Sequence, residues 1–149
     1  MGKNSSNNKK LPKTQYQLQT TKEAAHTKNP DGYQNQFIAW HFECMDASGS
    51  WPCNINTLRN IENRLHEFEK KKWSELTGSS HPLPVDKIIP KAQQRLLALG
   101  YGDFERLYQL DIKDGQQKRR LWGLRVENIF KILWWDPKHE IYPVELRRT

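Results

Sequence analysis

Between residues 104 and 135 the chain reads as three strands joined by two tight turns, and this stretch restricts the possible folds more than any other. Residues 104–113 form a first strand, Asp114-Gly115 is a strong two-residue hairpin signal, and residues 116–126 read back. Glu127-Asn128 marks a second turn before a strand over 129–135. Asp136-Pro137-Lys138 then breaks the ladder, and residues 140–142 add a short edge strand that Pro143 confines to the periphery. An antiparallel meander of this kind has to be covered by something else.

The preceding segment supplies the cover. Residues 37–44 alternate, with Ile38, Trp40, Phe42 and Cys44 on one side, the period of a half-buried strand. Leu58, Ile61, Leu65 and Phe68 recur at steps of three and four, which predicts an amphipathic helix capped by Asn56 and ending near Lys72. Residues 77–84, with Gly78, Pro82 and Pro84, read as a loop. A second helix starts at Pro90, runs through Ala92, Leu96 and Leu99, and stops at Gly100. The expected fold is therefore α+β: two helices packed on one face of an antiparallel meander, with an extra N-terminal strand.

Residues 1–36 have too few large apolar side chains to offset the entropy of ordering, and read as a disordered basic arm ahead of a single domain over 37–149. Six lysines (Lys3, Lys9, Lys10, Lys13, Lys22, Lys28) face only Glu23 and Asp31 there, so more than half of the net charge of +7 belongs to the arm. The pI of about 9.5 favours an anionic partner without naming it.

Several chemistries are disfavoured. No run approaches the ~18 apolar residues of a membrane span, which points to a cytoplasmic protein with no membrane partner. His41, Cys44 and Cys53 fit no common zinc spacing, there is no glycine-rich phosphate loop, and no metal or cofactor is expected. Two cysteines make no disulfide framework, and reduced thiols are expected.

Two-residue turns at both hairpins would set Lys113 opposite Gln116 and Val126 opposite Ile129, which assigns every side chain to a face. One face collects Tyr108, Leu110, Ile112, Leu121, Phe130, Ile132 and Trp134, with Arg119 and Arg125, and is the candidate core. The other places Gln109, Asp111, Lys118, Arg120 and Lys131 among Leu107, Trp122, Leu124, Leu133 and Trp135. Cations beside rings suit unpaired nucleotides, since each stacked base contributes about 1–3 kcal/mol. The same alternation also describes ordinary packing under another layer.

The order of elements, together with Leu107-Tyr108-Gln109-Leu110, Arg119-Arg120-Leu121, the apolar run 129–133, and then His139 and Tyr142, resembles the RelE/ParE superfamily of toxins from bacterial toxin–antitoxin systems. The resemblance covers about residues 55–145. In its RelE/YoeB branch it implies a metal-independent endoribonuclease acting on ribosome-bound mRNA and held in check by an antitoxin protein, whereas the ParE branch of the same fold acts on DNA gyrase. On the endoribonuclease reading Arg120 stabilises the transition state and His139 is the general acid or base. Lys118 and Lys131 position phosphates, and Trp122 or Tyr142 stacks a splayed base. The alternative is a binding module without catalysis, using the Trp-rich sheet face for a protein or single-stranded nucleic acid.

Overall fold

A computed structural model describes residues 30–76 and 78–143. The expectation of a disordered arm over residues 1–29 lies outside them. Residues 30–36, read as the end of that arm, are joined to the domain. A 3-10 turn at Pro30–Tyr33 is followed by backbone bonds from Trp73 N to Gln36 O and from Ser74 N to Gln34 O, and the Tyr33 hydroxyl donates to Glu127 at 3.0 Å.

The domain is α+β, with a five-stranded mixed sheet and two α-helices. The strands are β1 (Ala39–His41), β2 (Ser80–Pro84), β3 (Arg106–Asp114), β4 (Gln117–Val126) and β5 (Ile129–Asp136). The helices are α1 (Ile55–Glu69) and α2 (Pro90–Ala98). Sheet order is β1-β5-β4-β3-β2, with β1 parallel to β5 and every other pair antiparallel.

The two helices cover opposite faces of this sheet, which corrects the expectation that both share one. Leu58, Ile61, Leu65 and Phe68 of α1 pack with Tyr108, Leu110, Ile112, Leu121, Phe130 and Ile132. Ala92 and Leu96 of α2 pack with Leu107, Trp122, Leu124, Leu133 and Trp134, helped by Trp51 and Ile141. Adjacent strand residues point to opposite faces, so Leu121 and Trp122 cannot both be served by one layer. The second face holds large apolar groups of its own, and burying each is worth about 1.5–3 kcal/mol. That face is a second core.

The meander is read correctly in its parity and shifted in its pairing. Its first turn is Gly115-Gln116, with Asp114 opposite Gln117 and Lys113 opposite Lys118. Gly115 has φ 65, as the first central residue of a type II′ turn requires. A slip of two leaves each side chain on its expected face. In the second hairpin the expected pairing holds from Val126 opposite Ile129 to Gly123 opposite Ile132, and then Trp122 faces Trp134. Leu133 is the extra residue of a bulge. Beyond it the faces exchange, so Trp134 joins the α2 layer and Trp135 the α1 layer.

Gly123 marks that bulge because a Cβ there would lie 2.4 Å from the Lys131 carbonyl oxygen and 2.5 Å from the Phe130 ring. Gly123→Ala is expected to destabilise the domain by about 1–3 kcal/mol through overpacking. The check is a lower denaturant midpoint at unchanged slope.

Two elements differ from the sequence reading. Residues 80–84, expected in a loop, form β2, where Pro82 and Pro84 are tolerated because the strand lies at the sheet edge. Residues 140–142, expected as an edge strand, follow a turn at 137–138 and pair with no strand. The Asp136 carboxylate accepts the backbone N–H of Glu140 at 2.9 Å and of Ile141 at 3.0 Å, which folds the chain back before it can pair. At the helix starts, Asn54 rather than Asn56 caps α1, closing a capping box with Thr57, and Pro90 opens α2 as expected.

Candidate nucleic-acid interface

Two tryptophans of the second core are tied by buried carboxylates. The Trp122 indole donates to Asp136 at 3.2 Å, and the Trp134 indole donates to Asp46 at 2.9 Å. Asp46 also receives the Arg95 guanidinium at 2.8 and 2.7 Å, which fastens α2 to the sheet. The Arg95 hydrogen bonds hold the Asp46 carboxyl below its ordinary value against the opposing effect of burial, with the Trp134 bond helping. Trp122 is completely buried, so it offers no ring to a base. This corrects the expectation of an exposed, Trp-rich sheet face.

Four of the six expected site residues gather at the hairpin end of the sheet. Arg120 is buried opposite Asp111 on β3 and Asp136 on β5, and its Nη1 donates to the Tyr142 carbonyl at 2.8 Å. Tyr142 is half-buried at the edge of the second core. Lys118 is exposed, and its backbone carbonyl receives the His139 ring. Only a ring N–H can satisfy that carbonyl, so His139 donates from Nε2, and in the neutral ring Nδ1 is the acceptor. His139 has φ 58, a left-handed conformation uncommon outside glycine.

Lys131 is not part of this group. It faces Leu124 and lies beside His41 of β1, near the opposite end of the sheet. Along β4 that is about 13 Å from the Arg120 level at ~3.3 Å per residue. Positioning a phosphate held at Arg120 is beyond its reach.

Sequence reading missed His81, because its segment was taken as a loop. On β2 its Nε2 lies 3.6 Å from the Asp111 carboxylate, and the Gln109 amide donates to the other Asp111 oxygen at 3.1 Å. His81 is level with Gln109 and Trp122, whereas His139 meets Lys118 of β4, about two strand spacings of ~4.8 Å across and four residues of ~3.3 Å along. That separation is too wide for the two imidazoles to act on one phosphate.

On the other side of the sheet, α1 and the β3–β4 hairpin enclose a groove of about 950 Å³. Ile61, Ile112 and the half-buried Trp135 supply its apolar part. Arg64 bridges the two walls, with Nε donating to the Lys113 carbonyl at 3.0 Å and Nη1 to Glu67 at 3.1 Å. Arg119 pairs with Asp114 at 2.9 Å. A smaller concavity near Ser50, Lys91 and Arg95 adjoins the Asp46 anchor.

Among the described residues no group of three or more His, Cys, Asp or Glu side chains could hold a metal ion. Cys53 is buried, and burial pushes its thiol up to about 12, so it does not supply a thiolate near neutrality. No helix among the described residues is long and apolar enough to cross a membrane. Comparison with known proteins finds no matching family, no matching curated protein and no matching solved structure.

Proposed function

We propose that the chain binds single-stranded RNA at the hairpin end of the sheet. The observation that carries this reading is the cross-strand pair of Lys113 and Lys118, both exposed and directly opposite each other. Like charges so placed disfavour the sheet by roughly 0.2–1 kcal/mol, a cost that an anion lying between them removes. Arg119 and Arg64 lie on the adjoining face, and exposed Lys138 precedes His139. The acids nearby, Asp114 and Glu67, are held in exposed ion pairs of small worth that a phosphate can displace.

A double replacement, Lys113→Ala with Lys118→Ala, tests this reading on a labelled RNA strand of about 12 nucleotides. The slope of log affinity against log salt is expected to become shallower by about 1.4, two contacts at ~0.7 each for a single strand. An unchanged slope rejects the site.

A second reading, a toxin-like endoribonuclease of the RelE/YoeB kind acting on mRNA in the cytoplasm, is favoured by the arrangement of His139. In the neutral ring its Nδ1 would serve as the base for a ribose 2′-hydroxyl, while Lys118 and Arg120 would bring charge to the phosphate. The 2′-oxygen would bond to phosphorus as the P–O5′ bond breaks, and the proton taken up by His139 would pass to the leaving 5′-oxygen, giving a 2′,3′-cyclic phosphate and a 5′-hydroxyl; Arg120 would first have to exchange the Tyr142 carbonyl for phosphate. In this reading an antitoxin protein covers the hairpin end. Growth arrest on expression, lost with His139→Ala, supports it; intact RNA after prolonged incubation leaves the binding reading alone.

A further inference from the structure

The groove between α1 and the β3–β4 hairpin carries a feature that folding does not require. Asn56, Asn60 and Asn63 stand at helical steps of four and three, so the three amides line one wall. All three are exposed, and among the described residues none of their side chains makes a hydrogen bond that stabilises the fold. Asparagine is a poor helix former, and the solvent-facing side of the same helix carries Arg59, Glu62 and His66 instead. The amides are concentrated where the groove is. Opposite them the half-buried Trp135 lines the groove, placed on this face by the bulge.

We propose that this groove holds one nucleotide of a single-stranded RNA: the base against Trp135, its polar edge read by Asn60 and Asn63, and its phosphate on Arg119. The choice of ligand rests on the RNA reading above. An asparagine amide offers a donor and an acceptor together, the pattern that matches a base edge, and an aromatic ring supplies the stacking surface. A neutral sugar would use the amides and the ring but would gain nothing from the positive charges of Arg64 and Arg119, whose exposed ion pairs a phosphate can displace. The volume of about 950 Å³ is ample for a nucleotide, since small-molecule sites run from about 300 to 1,000 Å³. Arg119 is half-buried and its Asp114 partner exposed, so the pair can open toward a phosphate.

The test uses nitrogen-labelled full-length protein titrated with the four ribonucleoside monophosphates, with glucose as the neutral control. The Asn60 and Asn63 side-chain amides and the Trp135 indole N–H are expected to shift with at least one nucleotide and to stay in place with glucose. In the double variant Asn60→Ala with Asn63→Ala, the dissociation constant for that nucleotide should rise at least about fivefold, while the melting temperature holds or rises because alanine is the better helix former. Absence of shifts with every nucleotide, or equal shifts with glucose, overturns the proposal. RNA strands that bind without moving these resonances defeat the groove and spare the RNA reading. Nucleotides that move them while no RNA strand binds defeat the RNA reading and spare the groove.

Discussion

Replacing Asp136 with alanine is expected to remove most of the stability of the domain. The carboxylate is fully buried and accepts three N–H groups, from the Trp122 indole and from the backbones of Glu140 and Ile141. Each buried donor left without an acceptor costs about 1–3 kcal/mol, and domains of this size are stable by only about 5–15 kcal/mol. The damage would spread, because the Ile141 carbonyl accepts the Ile89 N–H just before α2 and the Tyr142 carbonyl holds Arg120. Thermal denaturation followed by circular dichroism should show a fall in Tm of more than about 10 °C. Asp136→Asn should fall less, since its amide oxygen still accepts while its NH2 faces a donor. An alanine variant melting with the parent protein would remove Asp136 from its place as the anchor of the C-terminal turn.

The second large effect is expected at Asp46. Alanine there strands the buried Trp134 N–H, at about 1–3 kcal/mol, and releases Arg95 of α2. This contribution should also depend on pH in a defined direction. Because the Arg95 hydrogen bonds hold the Asp46 carboxyl below its ordinary 3.8 in the folded protein, the carboxylate stabilises the fold at pH values above 3.8. That stabilisation is lost as pH falls through the lower folded value. Unfolding free energies of the parent and Asp46→Ala, measured in parallel, should differ by a constant amount near neutrality, and the difference should shrink in acid below 3.8. A difference independent of pH throughout would mean that the Arg95 bond contributes nothing.

Much of the scaffold was legible because apolar spacing encodes it. Leu58, Ile61, Leu65 and Phe68 define α1 and are its buried residues, while Pro90 and Gly100 bracket α2 as read. The slip of two at Gly115 was harmless to the faces, whereas the single extra residue at Leu133 exchanged Trp134 with Trp135. No local signal announces that bulge except Gly123, whose missing side chain makes room for Phe130. The second core was signalled by the unbroken apolar run around Leu121, Trp122 and Leu124, which suits a strand covered on both faces better than one with a wet side. Strand β2 was hidden by its prolines, and the final turn by the reach of Asp136.

The site was legible only in part, for the same physical reasons. Lys118 and Arg120 are two residues apart on one strand, and the Asp136 turn brings His139 and Tyr142 back to them. Trp122 and Lys131 carried the right chemistry at positions that burial and distance along the sheet remove from that group. The groove went unread, because Arg64 and Lys113 meet across a long stretch of chain. The steps of Asn56, Asn60 and Asn63 along one helix were its sole signal in the sequence.

The most direct test of the central claim is the affinity of the unaltered protein for a single-stranded RNA of about 12 nucleotides, measured by fluorescence anisotropy across a range of salt concentrations. With Lys113, Lys118 and Arg119 each meeting a phosphate, log affinity should fall with log salt at a slope of about −2 or steeper. The same sequence presented as a duplex should bind more weakly, because its bases are not free to enter the groove. No binding at low salt, or a slope near zero, would contradict RNA recognition at the hairpin end of the sheet.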